Sequence, residues 1–253
     1  MKRLLTLVAA EHPLVRSGES AVLIGHRGAS ARRRENTLAA FELAMQLGAG
    51  MIEFDARRTA DGVLVVHHNR RIRGRRISRL TYARLQTWRH SRHVPTLEQV
   101  LQLAAGRVRL DIELKEAGYE AEVIALVRRY VQPDSFVMSS FLEGTVRRLK
   151  QLDSELCVGL LVGRGLPKFI FNRLSNFAPA RRVARSGADF LACHYSLADL
   201  GVLGQMARRG VPVMIWTVND ARRLRRYLAD PRVRGVISNL PPAAEPYLPL
   251  AEA

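Results

Sequence analysis

From Val22 onward the chain alternates short runs of β-branched and apolar residues with longer amphipathic stretches, and this alternation constrains its fold more than any other feature. Val22–Gly25 reads as a buried strand, and Asn36–Leu47 as a helix with Leu38, Phe41 and Met45 on one face and Gly48 as its stop. Further strands are predicted at Met51–Arg57, Val108–Leu114, Phe136–Ser139, Cys157–Val162, Phe190–Ala192, Val213–Val218 and Val236–Ile237. Helical stretches such as Tyr119–Tyr130, Gly144–Leu152, Leu200–Arg209 and Ala221–Leu228 lie between them. Eight β–α units thus follow one another with no linker or compositional break. That is what an α/β chain folded as a (β/α)8 TIM barrel requires; a doubly wound open sheet is the alternative. The expected organisation is an N-terminal extension over residues 1–21 and one barrel domain over residues 22–250.

One run breaks the alternation. Val63–Val66 follows Met51–Arg57 through Thr59-Ala60-Asp61-Gly62, far too short for a helical crossover between parallel strands. A short β-hairpin insertion after strand 2 is therefore expected, with Asp-Gly as the turn signal. A tight turn brings residue 55 near 66 and 53 near 68, which sets His68 beside Glu53.

The 253 residues are 47% hydrophobic, which excludes a solvated coil and supports a sizeable core. Forty cations, 36 of them Arg, against 23 acids leave a net charge of +17. Such an excess points to an anionic partner (nucleic acid, an acidic lipid surface or a phosphorylated small molecule) or to a bias towards Arg codons. Cys157 and Cys193 are too few for a disulfide scaffold and fit a reducing compartment. No apolar run reaches the roughly 18–20 residues of a membrane span. The basic, apolar start Met1–Ala10 runs into Glu11-His12-Pro13, a poor cleavage region; a cytoplasmic extension is favoured over a signal peptide.

In a barrel the chemistry gathers at the C-terminal ends of the strands. His26 and Arg27, Glu53 and Asp55, His67 and His68, Glu113 and Lys115, Ser139 and Ser140, His194, Trp216 and Asn219, and Ser238 and Asn239 occupy those positions. At period two Glu53 and Asp55 point one way while Ile52 and Phe54 point the other; Asp111, Glu113 and Lys115 likewise share a face. Turned inward, these carboxylates crowd and demand a positive group among them. Hard oxygen donors at this density suit one divalent cation, Mg²⁺ or Ca²⁺. Turned outward, they only pair with Arg. Two imidazoles beside such a cluster form an acid–base pair, and Arg27 and Lys115 supply cations for a phosphate. The set suits phosphoryl-ester hydrolysis better than glycoside or peptide hydrolysis.

Several stretches carry a family resemblance: His26-Arg27-Gly28, Glu35-Asn36-Thr37-Leu38-Ala39-Ala40-Phe41, Glu53-Phe54-Asp55 and Asp61-Gly62-Val63-Leu64-Val65-Val66-His67-His68. They continue with Ile112-Glu113-Leu114-Lys115, Ser139-Ser140-Phe141, Gly159-Leu160-Leu161, Trp216-Thr217-Val218-Asn219 and Ser238-Asn239-Leu240-Pro241. In this order they resemble the glycerophosphodiester phosphodiesterase family from about residue 22 to 242. The resemblance implies a TIM barrel that hydrolyses glycerophosphodiesters to glycerol 3-phosphate and an alcohol. It implies His26 and His68 as the acid–base pair and Glu53, Asp55 and Glu113 as ligands of the cation. Arg27 and Lys115 would then hold the phosphate, and Trp216 would wall the substrate pocket. Glu35 would orient Arg27 or the first loop. The implied reaction is attack on phosphorus, by the substrate's neighbouring hydroxyl through a cyclic phosphate, with water finishing.

Three departures stand out. Asn69 follows the second histidine where the family has Asp, so His68 should be less basic. The segment from His68 to Glu98 is shorter than the family's insertion and carries the basic loop Arg70–Arg76 near the mouth. Leu166–Phe177, with Arg181, Arg182 and Arg185 after it, mixes aromatic and cationic residues that suit an anionic bilayer or a plain barrel helix. The partners expected are thus a small glycerophosphodiester and peripheral contact with an anionic membrane, without nucleic acid. A lysophospholipase D-like enzyme at a membrane surface is a close variant. A non-catalytic barrel binding an anionic partner through its arginines is the competing class.

Overall fold

Eight parallel strands close into a barrel in the computed structural model, which describes Leu14 and residues 21–89, 91–163 and 179–240. The strands are β1 (Val22–His26), β2 (Met51–Arg58), β6 (Arg109–Leu114), β7 (Phe136–Ser140), β8 (Val158–Val162), β9 (Phe190–His194), β10 (Val213–Trp216) and β11 (Val233–Ser238). β1 pairs with both β11 and β2, which closes the sheet and leaves no open edge on the barrel. The open-sheet alternative is thereby excluded. Helices α1 (Leu38–Gln46), α3 (Leu97–Ala104), α4 (Glu120–Tyr130), α5 (Glu143–Leu152), α6 (Pro179–Ser186) and α7 (Ala221–Leu228) lie between strands. No helix among the described residues is long and apolar enough to cross a membrane.

Period two decides what fills the interior. At the N-terminal end the inward residues are apolar: Val22, Ile24, Met51, Val137, Leu161, Phe190, Ala192, Met214 and Ile237 form one buried cluster. Each fully buried side chain of this size contributes about 1.5–3 kcal/mol. A Cβ on Gly159 would meet the Phe190 ring at 2.2 Å, so the glycine makes room for the largest of these side chains. Leu14, from the N-terminal extension, is fully buried in the same cluster, and its carbonyl accepts from Arg109 Nη1 at 3.2 Å. At the C-terminal end the inward residues turn polar, and the carboxylates of β2 and β6 face the interior rather than the outer arginines.

The hairpin is present, with a register one residue away from expectation. β3 (Leu64–Val66) runs antiparallel to β2 with Ala56 opposite Val66 and Arg58 opposite Leu64. Thr59 sets the offset: its Oγ1 accepts from the Val63 amide at 3.0 Å and its own N–H donates to the Val63 carbonyl at 3.0 Å, which widens the turn. A second ribbon, β4 (Arg71–Ile72) with β5 (Arg75–Arg76), and the helix α2 (Tyr82–Gln86) follow before α3.

Two other expectations shift. The helix read at Leu200–Arg209 is broken, because Gly201 takes φ 94° and divides the stretch into Ala198–Val202 and Leu203–Ala207. β11 begins at Val233, earlier than expected, because Gly235 sits inside a strand where it makes space for Ile24. Cys157 and Cys193 form no disulfide. The segment Leu166–Phe177 lies outside the described residues.

Candidate active site

The first loop holds Arg27 in place from three sides. Arg27 adopts φ 54°, a left-handed conformation rare for a side chain of this size. Its backbone N–H donates to Glu53 Oε2 at 2.9 Å, its Nη1 pairs with Glu35 Oε2 at 2.7 Å and its Nε lies 3.3 Å from Asp55 Oδ2. Gly28 must follow, since at φ +82° a Cβ would sit 2.5 Å from the Ala40 carbonyl carbon. Glu35 therefore orients Arg27 and stands apart from the carboxylate cluster.

That cluster follows from register. Glu53 lies beside Asp111 and Asp55 beside Glu113 on the paired strands β2 and β6, all four buried. Lys115 Nζ sits between two of them, 2.6 Å from Glu113 Oε1 and 3.1 Å from Asp55 Oδ1. Burial would raise the Asp55 carboxyl, but Lys115 and then Arg27 hold it below the usual carboxylate range. Glu53 goes the other way: burial and the charges of Asp55 and Glu113 push it well up. Burial takes Glu113 to about 7 against the pull of Lys115, and Asp111 to about 7 although Ser139 Oγ donates to it at 2.7 Å. Four carboxylates buried around one lysine and one arginine call for further positive charge among them.

A divalent cation fits there. One oxygen each from Glu53, Asp55 and Glu113 can be chosen so that all lie within 4.8 Å of one another. Oxygens bound to one ion at 2.0–2.6 Å are separated by no more than about 4–5 Å. The buried Asp111 Oδ2 has no hydrogen-bond partner among the described residues, a further sign of unmet charge in this pocket.

The two imidazoles are placed differently. His26 ends β1 with Nε2 3.9 Å from Glu53 Oε2 and Nδ1 2.5 Å from Asn239 Oδ1. An amide oxygen only accepts, so this partner assigns the proton to Nδ1 and leaves Nε2 an acceptor. Burial, then Arg27, lowers His26 to about 4, so it is neutral at physiological pH. His68 lies on the hairpin side with Nδ1 3.3 Å from Asn69 Oδ1 and is lowered mainly by burial, against the pull of Asp55. His67 instead points Nδ1 at the Asn69 carbonyl at 2.9 Å and does not line the cavity.

These groups open into one cavity of about 1100 Å³ that His26, Arg27, Glu53, Glu113, Lys115, His68 and Asn69 all line. Trp216 forms its far wall, edge-on to Phe141 at 5.5 Å and to His194 at 5.2 Å, with Nε1 donating to the Ala192 carbonyl at 3.1 Å.

Three contributors have no role in the sequence reading. Asn239 fixes His26, although its place at a strand end was visible. Asn36, at φ 56°, donates from Nδ2 to Asp55 Oδ2 at 2.7 Å. Arg57 is buried and donates to the backbone carbonyls of both histidines: Nε to His67 O at 3.0 Å and Nη2 to His68 O at 2.6 Å, with Nη1 3.1 Å from Glu116. Arg57→Gln is expected to lower kcat about 10- to 100-fold through misplacement of His68, with KM little changed. Steady-state kinetics beside a thermal melt checks this; an unchanged kcat in a folded variant contradicts it.

A family model described as the Glycerophosphoryl diester phosphodiesterase family matches residues 26–242. A glycerophosphodiester phosphodiesterase of Caldanaerobacter subterraneus is 28% identical over 241 residues, which cover 87% of this chain and 94% of the relative. The crystal structure of a glycerophosphodiester phosphodiesterase from Parabacteroides distasonis superposes with a TM-score of 0.72 at 26% identity, covering 88% of this chain and 94% of that one. An Oleispira antarctica phosphodiesterase, solved with the product sn-glycerol-3-phosphate, shares the fold at a TM-score of 0.75 and 24% identity, over 90% of this chain and 97% of that one.

Proposed function

The chain belongs to the glycerophosphoryl diester phosphodiesterase family and is a phosphoric diester hydrolase, and on that premise we propose that it cleaves glycerophosphodiesters to glycerol 3-phosphate and an alcohol. Of the two classes weighed from the sequence, enzyme and non-catalytic barrel, the enzyme holds. The observation that carries the finer reading is the convergence of two imidazoles and two cations in one cavity on three carboxylates within ligating distance of one another, Glu53 and Glu113 lining it and Asp55 buried behind Arg27 and Lys115.

In this reading Glu53, Asp55 and Glu113 hold one divalent cation, Mg²⁺ or Ca²⁺, whose chemistry is to neutralise charge developing on the phosphoryl oxygens. Arg27 and Lys115 grip the remaining phosphate oxygens. His26, with Nε2 free, takes the proton of the attacking hydroxyl, either the neighbouring hydroxyl of the glycerol moiety or water. As the new O–P bond forms, the bond to the leaving alcohol breaks and His68, entering the step as the imidazolium, gives its proton to that oxygen; where the neighbouring hydroxyl attacked, water then opens the cyclic phosphate to glycerol 3-phosphate with the two imidazoles exchanging roles. Asn239 keeps His26 in the required tautomer, and Asn69 orients His68 without adding a charge. Glu35 supports Arg27. Trp216 and Phe141 form the apolar wall against which the substrate lies.

A panel of glycerophosphocholine, glycerophosphoethanolamine, glycerophosphoinositol and lysophospholipids, each with Mg²⁺ and with Ca²⁺, tests the reading. Release of glycerol 3-phosphate from the soluble diesters is expected; inactivity on every member contradicts it. Lysophospholipids belong in the panel because the cavity has ample room and Leu142 on its rim is 43% exposed. Peripheral contact with an anionic membrane is part of the same reading.

A further inference from the structure

Between Asp61 and Glu98 the sequence holds nine arginines and no carboxylate. Their spatial arrangement is equally one-sided. The ribbon β4–β5, helix α2 and the turns around them pack on a small apolar cluster of their own, Ile72, Ile77, Leu80, Leu85 and Val94, anchored to β3 through Val65. Arg71, Arg73, Arg75 and Arg79 are exposed, and Arg73 and Arg84 lie over Trp88 at 5.8 and 5.5 Å. The charges are close enough to repel one another: Arg70 above all, with Arg79 and Arg71, lowers the pKa of Arg76.

Elsewhere on the described surface several arginines meet acids. Arg58 pairs with Glu122, Arg107 with Glu42, Arg185 with Glu143 and Arg232 with Asp230. A general bias towards Arg codons accounts for abundance and leaves unexplained why the acids vanish from this one module. Arg70 reaches Glu116 at 3.3 Å, and the exposed Arg71, Arg73, Arg75 and Arg79 have no acidic partner among the described residues, which leaves them open to an external anion.

Its position selects which one. Arg70, 58% exposed, lines the active-site cavity and ties the module to the mouth; Leu142, on the same cavity, is an exposed apolar group. Trp88 is half-buried with two guanidinium groups against its ring, which suits it poorly as a platform for stacking a base. We propose that the arginine module over residues 70–92 docks the active-site mouth on an anionic phospholipid bilayer. This rests on the phosphodiesterase reading in one respect, since a mouth that handles phospholipid-derived diesters is what makes a lipid surface the natural polyanion.

The test is flotation of the full chain, without substrate, on vesicles of phosphatidylcholine alone or mixed with phosphatidylglycerol, at low and at high salt. Binding is expected to the mixed vesicles only and to be lost at high salt. Reversing three exposed charges together, Arg71→Glu, Arg75→Glu and Arg79→Glu, should weaken partitioning at least about 100-fold, at roughly fivefold per cation lost. Turnover of a soluble diester without vesicles should stay within about twofold, because none of the three lines the cavity. Should a melt show the triple variant unfolded, the single variants Arg75→Gln and Arg79→Gln must each show a graded loss. Failure of the wild type to bind anionic vesicles at low salt overturns the proposal, as does undiminished binding by the folded triple variant. Duplex DNA that displaces the vesicles and binds more tightly overturns it in favour of a nucleic acid partner. Vesicle binding by a protein inactive on every diester would leave the docking surface standing while the catalytic reading fell.

Discussion

His26→Ala is expected to lower kcat on a soluble glycerophosphodiester by about 10²- to 10⁴-fold, the range a positioned acid–base group contributes, or roughly 3–5 kcal/mol of barrel-held transition-state stabilisation. The loss should fall on kcat more than on KM, because Arg27 and Lys115, which grip the phosphate in this reading, remain. Burial that keeps His26 neutral and the Asn239 bond that fixes its tautomer both serve one state, a free Nε2 aimed into the cavity. Asn239→Ala should therefore reproduce part of the defect while leaving the imidazole in place. The paired control is decisive: His68→Ala should cost as much as His26→Ala, whereas His67→Ala should cost only a few-fold, since that ring is turned to the Asn69 carbonyl. Steady-state kinetics on the three variants checks the ordering. Equal losses for His67→Ala and His68→Ala would contradict the assignment.

The parts of this site legible in the sequence are those set by a strand's own period. Glu53 and Asp55, and Asp111 and Glu113, face the same way because residues two apart on a strand must. Whether that face is inward is settled once the strands close, and the eight-unit count already pointed to closure. Arg27, His26 and Lys115 were legible because they sit where strands end. What escaped depended on distance across the barrel. Asn239 reaches His26 over 213 residues of sequence, and nothing local marks it for that role. Asn36 was hidden as a plain helix-start residue, and only its left-handed backbone turns its amide on to Asp55. The hairpin register missed by one because a side-chain bond from Thr59 decides it, a choice that turn propensity does not encode.

Removing the divalent cation should abolish turnover and also leave a signature in stability. Three buried carboxylates without a cation are kept tolerable by Lys115 and Arg27 and by protons. Asp111 and Glu113 titrate near 7 in the folded barrel, far above their unfolded value of about 4. A carboxyl raised in this way stabilises the fold fully below its unfolded pKa, and that contribution is lost as pH rises through the folded value. His26, lowered to about 4, has the opposite slope, but only below its unfolded value of 6.5. Between pH 6.5 and 8 the raised carboxyls act alone among these groups, so the Tm of EDTA-treated protein should fall across that window. Mg²⁺ or Ca²⁺ replaces the protons, and at a hundred times Kd a bound ion adds about 2.7 kcal/mol. The cation-induced rise in Tm should therefore be larger at pH 8 than at pH 6.5. Glu113→Gln removes a proposed ligand and one raised carboxyl together, so it should abolish turnover and flatten both the pH slope and the response to added cation. A wild-type protein whose Tm at pH 8 ignores both ions, and whose turnover survives EDTA, has no such centre at Glu53, Asp55 and Glu113.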